Sequence, residues 1–164
     1  MARPRMSAEQ KIGNQIARKV IRAIQRVVKQ SSFRTGMMRA AGKLHLKFIK
    51  HAMSQSGVGG YGKWIELSPR RQKELGRVDS ILKDTGALQR SMKVVATADG
   101  WEITVGVEYG DIHQNGGTNA QGAYVPARPY LLLTDEWAGH IWDGAILPFI
   151  RERTIVAVRK ALAA

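Results

Sequence analysis

The stretch Met92-Lys93-Val94-Val95-Ala96-Thr97-Ala98-Asp99-Gly100-Trp101-Glu102-Ile103-Thr104-Val105-Gly106-Val107 holds two β-rich arms on either side of Asp99-Gly100. Asp-Gly is a favoured hairpin turn. In the second arm Trp101, Ile103, Val105 and Val107 alternate with Glu102, Thr104, Gly106 and Glu108. One face is therefore expected in the core and the other in water. Met92 to Thr97 and Trp101 to Val107 are the expected strands, and most of what flanks them reads as helix or loop.

Upstream, Trp64-Ile65-Glu66-Leu67-Ser68-Pro69 marks a helix start. Ser68 suits the N-cap and Pro69 the first helical position. Trp64 and Leu67, just ahead, are expected to staple that start to the core. The helix is expected to run to about Leu82 and to stop at Lys83-Asp84-Thr85-Gly86, with Ala87–Ser91 a further short turn. Residues 55–62 hold Gly57, Gly59, Gly60 and Gly62. No Lys-Ser/Thr pair follows and no apolar strand precedes, so a phosphate-cradling P-loop is excluded and a mobile loop is expected.

Further upstream lie two helices of one design. From Ser7 to about Lys29, Ile12, Ile16, Val20, Ile24, Val27 and Val28 form an apolar face, while Arg18, Arg22, Arg26 and Lys29 run along the opposite one. Ser31 to Gly36 is expected to break the chain. From about Met37 to Met53, Met37, Ala41, Leu44, Phe48 and Ala52 face one way, and Arg39, Lys43, Lys47 and Lys50 the other. Like charges at i, i+4 cost a few tenths of a kcal/mol per pair. Such stripes serve either as a solvated outer face or as a contact for acidic protein or a phosphate backbone. No aromatic is interleaved to stack on bases, which argues against single-strand recognition.

Downstream, Tyr109 to Gly117 leads into a soft loop, residues 116–123, and then into Tyr124-Val125-Pro126-Ala127-Arg128-Pro129-Tyr130-Leu131-Leu132-Leu133. The two prolines fix their own φ and push Val125 and Arg128 towards extended backbone. Arg128 is thus held on a stiff strap, either as a snorkelling surface arginine or as a donor fork for a carboxylate within the chain or on a neighbouring copy. Tyr130 beside it fits the interface preference for Tyr and Arg. Thr134 can cap a helix beginning Asp135-Glu136-Trp137. Asp143-Gly144 and Pro148 are expected to divide that helix from a last amphipathic one carrying Leu147, Ile150, Val158 and Leu162.

The totals narrow the function. The 164 residues suffice for a single domain with a real core. There is no cysteine, which excludes disulfides, thiolate metal sites and cysteine nucleophiles. No secretory signal is readable after Met1 and no apolar run approaches the roughly 20 residues of a membrane span, so a soluble intracellular product is expected. The net charge is +13 and is unevenly placed. Residues 1–50 carry 13 Lys/Arg and one acid (13 − 1 = +12); residues 51–164 carry 13 against 12 (13 − 12 = +1). That asymmetry suggests an acidic or polyanionic partner for the first third.

Chemistry is harder to find. Asp84-Thr85-Gly86 matches the aspartic-protease triplet, but Lys83 before it, Ala87 after it and a helical flank do not fit that loop. His45, His51, His113 and His140 are scattered, without metal-ligand spacing. Asp111 could orient the His113 imidazole, yet no serine or cysteine motif accompanies it. No catalytic residue, metal or cofactor is assigned.

Four pieces in order then carry a resemblance. They are Trp64-Ile65-Glu66-Leu67-Ser68, the run from Leu82 to Ser91, the run from Tyr109 to Gly117, and Val125-Pro126-Ala127-Arg128-Pro129-Tyr130-Leu131. In this order the chain resembles the phage virion morphogenesis, or tail completion, family of tailed bacteriophages. The resemblance implies an α+β fold, with a small antiparallel sheet packed with helices. With the length read above, one domain over 1–164 is expected: a basic helical part (1–53), the family-like core (64–143) and a C-terminal helix (144–164).

By the same resemblance the protein is a non-enzymatic virion part at the neck or head-proximal tail end, assembled in the host cytoplasm. It would complete or terminate the tail or support head–tail joining. Relatives commonly form rings, often of six subunits. Its expected partners are copies of itself and neighbouring neck, connector, tail tube or sheath proteins, with DNA contact transient and no membrane. Asp111, His113, Arg128, Pro129 and Tyr130 are the candidate subunit-interface residues. Arg18, Arg22, Arg26, Lys29, Arg39, Lys43, Lys47 and Lys50 are the candidate contacts to an acidic partner or DNA. The alternative is a basic DNA-binding module built on those eight residues.

Overall fold

The structure is a computed structural model, and it describes residues 8–55, 57, 63–76, 81–82 and 85–163. The hairpin forms in shortened form. Strand β1 (Lys93–Ala96) pairs antiparallel with β2 (Trp101–Thr104), Val94 opposite Ile103 and Ala96 opposite Trp101. Thr97 N–H donates to Gly100 O at 2.9 Å and Asp99 N–H to Thr97 Oγ1 at 3.3 Å, closing the turn. The ladder stops at Thr104, yet Val105 and Val107 still pack against the core. Core burial continues the alternation past the last paired residue.

Helix α2 (Ser31–Ser54) is the element on which the rest is mounted. At 1.5 Å per residue it is roughly 36 Å long, enough to contribute to both apolar clusters. One gathers Ile49, Ala52, Met53, Trp64, Ile81, Leu88, Met92 and Tyr130; the other centres on Ala41, Ile141 and Ile146. The expected face of Met37, Ala41, Leu44, Phe48 and Ala52 is turned inward, with Ala41 and Ala52 fully buried. His45 and Ile49 are buried beside them. Trp101 Nε1–H donates to His45 Nδ1 at 3.2 Å, which makes Nε2 the protonated nitrogen and the donor to Leu132 O at 2.9 Å. One imidazole thus ties α2, the hairpin and the strap together.

Gly42 lets the hairpin lie on α2. A Cβ there would stand 2.5 Å from Val94 Cγ1 and 3.0 Å from the Trp101 ring. Gly42→Val is therefore expected to destabilise the fold by about 1–3 kcal/mol through overpacking. Urea unfolding followed by tryptophan fluorescence would read the loss, and an unchanged midpoint would show that the hairpin does not need this close approach.

Several sequence expectations are corrected. No break occurs at 31–36: α1 (Ala8–Val28) ends, Lys29 and Gln30 turn, and α2 begins at Ser31. Gly36 lies within α2, and its missing Cβ leaves room for the Phe149 ring, which sits 2.8 Å from where that Cβ would be. The apolar face of α1 is only partly covered. Val20, Ile24 and Val27 are half-buried, whereas Ile12 is 57 % exposed and Ile16 46 %. The reason is that α1 packs chiefly on the C-terminal helix, near its own C-terminal half.

Helix α3 (Pro69–Leu75) starts as expected, with Ser68 Oγ accepting from Arg71 N–H at 3.3 Å, and Trp64 is buried ahead of it. It ends early, however, at Gly76 in the left-handed region (φ 63°), where glycine meets no Cβ penalty. Gly86 instead leads into α4 (Ala87–Ser91). Most of the glycine-rich segment 55–62, together with Lys83 and Asp84, lies outside the described residues.

After α5 (Gly110–Asn115), the soft loop is a small hairpin, β3 (Gly117–Thr118) paired with β4 (Tyr124–Val125). Asn119 closes it: its Oδ1 accepts from Gln121 N–H at 3.1 Å and Ala123 N–H at 2.8 Å. Thr134 caps α6 (Asp135–Ile141) by accepting from Trp137 N–H at 3.1 Å. The expected break at Asp143-Gly144 and Pro148 is replaced by a π-helical turn, Trp142–Ile146, running on into α7 (Leu147–Ala163). Leu147 N–H reaches back five residues to Trp142 O. The wider turn carries the helix through Gly144 and up to Pro148 without ending it. Leu162, expected on the buried face, is exposed.

Candidate functional site

Residues 126–133 form a strap whose backbone has almost no regular secondary structure, so other parts of the chain must satisfy its polar groups. Helix α5 supplies most of them. Arg128 N–H donates to His113 O at 2.7 Å. The Gln114 side-chain Oε1 accepts from both Tyr130 N–H (2.9 Å) and Leu131 N–H (3.0 Å). Tyr130 Oη–H donates to Gly110 O at 2.9 Å. From the segment before α3, Trp64 Nε1–H donates to Pro129 O at 3.1 Å. His45 takes Leu132 O, as described.

Arg128 and Tyr130 are therefore placed differently from the expectation that they reach out to a neighbour. Tyr130 is 1 % exposed and Arg128 5 %. Arg128 Nε and Nη2 both donate to Ile65 O at 3.2 Å, so the strap is bolted to the residue beside Trp64. Burial pushes the guanidinium pKa down, but an arginine stays charged at neutral pH. Among the described residues it has no carboxylate partner. Burial, with Asp111 and Tyr109 nearby, pushes the Tyr130 hydroxyl up and keeps it a donor.

Asp111 is exposed and accepts from Asn115 Nδ2–H at 2.7 Å rather than orienting His113. Pro129 is half-buried. His113 is half-buried with its Nδ1 enclosed and without a hydrogen-bond partner, and the Tyr109 ring stands edge-on at 5.8 Å. Burial and the neighbouring Arg128 charge hold its pKa below the usual imidazole value.

In the unfolded chain the imidazole titrates near 6.5, so the unfolded state binds the proton first as pH falls. Stability tied to neutral His113 is complete above about pH 6.5. It is lost as pH falls towards and through the lower folded pKa. His113→Gln is expected to flatten the fall in urea midpoint between pH 8 and pH 5; parallel pH profiles for the two proteins would rule this out.

Arg128 and His113 share a cavity of about 330 Å³. Leu67, Thr85, Ala87, Tyr109, His113 and Arg128 are among its walls. Each of the four sequence pieces that carry the family resemblance contributes: Leu67 from the first, Thr85 and Ala87 from the second, Tyr109 and His113 from the third, Arg128 from the fourth. Sequence reasoning missed Gln114 and the Ile65 carbonyl, which hold the strap. Their only sequence signal was membership of those same pieces.

The basic stripes lie apart from this cavity. Arg18, Arg22, Arg26, Lys29, Arg39, Lys43 and Lys47 are exposed, and Lys50 is half-buried. None of the eight makes an ion pair among the described residues; Arg34, outside both stripes, pairs with Asp99 at 3.4 Å. No helix among the described residues is long and apolar enough to cross a membrane.

Comparison with protein families gives a match to the phage virion morphogenesis family over residues 15–146. Neither curated proteins nor solved structures give a match.

Proposed function

The chain belongs to the phage virion morphogenesis family, and from that premise we propose that it is a non-enzymatic structural protein of the phage neck or head-proximal tail end. In this role it forms a closed ring, of six subunits in the simplest case, that completes the tail or supports head–tail joining. The observation that supports this most directly is the extent of the match. It spans α2, the hairpin, α5 and the strap, and so includes all four segments that line the cavity.

A ring needs a head-to-tail contact that closes by rotation. Asp111 and His113 beside the strap, and Pro129 within it, are candidates for it. Phage lacking the protein should accumulate heads and tails that fail to join, or tails of faulty length. Electron microscopy of those particles, with localisation of the chain in purified wild-type virions, tests this. A chain absent from purified virions, with normal particles formed without it, would sink the proposal.

A second use is favoured by one observation, the eight cations on α1, α2 and the turn between them, none of which makes an ion pair among the described residues. They suit acidic neck, connector, tube or sheath proteins, or DNA in transit. Because DNA must slide, protein is the better-fitting partner. If DNA is bound, the logarithm of affinity falls steeply with log salt. Binding that survives charge reversal at Arg18, Arg22 and Arg26 would exclude these residues as the DNA contact.

A further inference from the structure

Arg128 is a buried cation whose only side-chain acceptor among the described residues is one neutral carbonyl, Ile65 O. Placing a charge out of water is unfavourable unless it is paired, and no carboxylate answers it among the described residues. The same cavity wall includes His113, whose enclosed Nδ1 has no partner. Beside them lies about 330 Å³ of open space flanked by Leu67, Leu88 and Tyr109. A guanidinium fork next to an imidazole, with apolar sides, is complementary to a planar carboxylate on a short apolar stem.

We infer that this cavity receives a carboxylate side chain from a second copy of this chain. Charge placement favours a second copy over a nucleic acid. The cavity lies wholly within residues 51–164, where 13 basic and 12 acidic residues nearly balance, whereas the excess that would draw phosphates lies in residues 1–50. The balanced part also carries exposed carboxylates without ion pairs among the described residues, at Glu102, Glu108, Asp135 and Asp143. A cavity on one copy filled by an acid from elsewhere on the next is a heterologous contact, the kind that closes into rings. The choice of partner rests on the chain being an assembling virion part; the carboxylate chemistry does not.

The test uses the full chain. N-acetyl-aspartate N-methylamide, its asparagine counterpart and inorganic phosphate are titrated while the His113 ring signals are followed by NMR. Sedimentation measures self-association. Thr85→Glu, at an exposed position on the cavity wall, supplies a tethered competitor, and Thr85→Gln, which equally loses the Thr85 Oγ1 acceptor of Ala87 N–H at 3.2 Å, is its neutral control. The aspartate probe should shift the His113 signals saturably and the asparagine probe should not. Thr85→Glu should abolish that shift and weaken self-association about tenfold relative to Thr85→Gln, which adds similar bulk at the same wall without the charge.

An absent aspartate response, or an equal response to the asparagine probe or to phosphate, overturns the carboxylate site. Probe binding combined with self-association that is absent, or indifferent to Thr85→Glu, assigns the acid to a different protein and overturns the second-copy proposal. Presence of the chain in virions is measured separately, so either failure leaves the proposed function to its own test.

Discussion

Tyr130→Ala is expected to destabilise the fold by about 3–5 kcal/mol, the range for truncating a large buried aromatic. Tyr130 is the largest of the fully buried side chains and packs in the cluster that joins α2, Trp64, Leu88 and Met92. A typical domain is stable by only about 5–15 kcal/mol, so this variant should lose a large share of its stability. Tyr130→Phe separates packing from hydrogen bonding. It keeps the ring but strands Gly110 O, for an expected loss of about 1–2 kcal/mol. Urea unfolding of the three proteins, with m held constant, gives both numbers. If Tyr130→Ala kept its stability and lost only self-association, the residue would be an interface anchor and not a core element.

Gln114→Ala should cost about 2–4 kcal/mol, more than the half-buried position alone suggests. A single oxygen accepts from two consecutive strap amides, Tyr130 N–H and Leu131 N–H. Truncation leaves both donors facing a space with no acceptor, and each unsatisfied buried donor costs about 1–3 kcal/mol. Gln114→Glu preserves an acceptor at that position and should keep most of the stability at neutral pH. Amide hydrogen exchange provides the local readout. Residues 130 and 131 should exchange far faster in the alanine variant than in the glutamate one. Equal protection in both would mean that the strap is held by packing alone.

Both predictions concern a residue type whose importance is invisible in the chain's own order. The sequence marks Tyr130 as an aromatic next to a proline-framed arginine and suggests an outward role. The fold turns it inward, because Gly110 offers a carbonyl to its hydroxyl and no Cβ to block its approach: a Cβ there would lie 3.1 Å from Tyr130 Oη. Gln114 is one polar residue on a short helix, and nothing within four positions of it reveals that it serves two amides 16 and 17 residues later.

Signals that act within a few residues were legible from the sequence alone. Ser68 and Thr134 cap their helices as expected, and the hairpin turns over residues 97–100, which include Asp99-Gly100, with Trp101 and Ile103 inward-facing. The four sequence pieces identified the family, whose match covers residues 15–146. The basic stripes and the absence of cysteine were also fixed at that level. These depend on short-range hydrogen bonds, steric limits on φ and helical periodicity, which are properties of neighbouring residues.

Only the tertiary structure decided where Arg128 points, since Ile65 O is 63 positions away. It also decided that His45 joins three elements, through Leu132 O at a separation of 87. It left Ile12 and Ile16 uncovered although their spacing is that of a buried face. It carried the last helix through Gly144 on a π turn. For Arg128 and His45 the deciding partner is remote in sequence. Periodicity states that a face is apolar and that a donor needs an acceptor; which surface covers the one, and which atom meets the other, depends on how the elements pack.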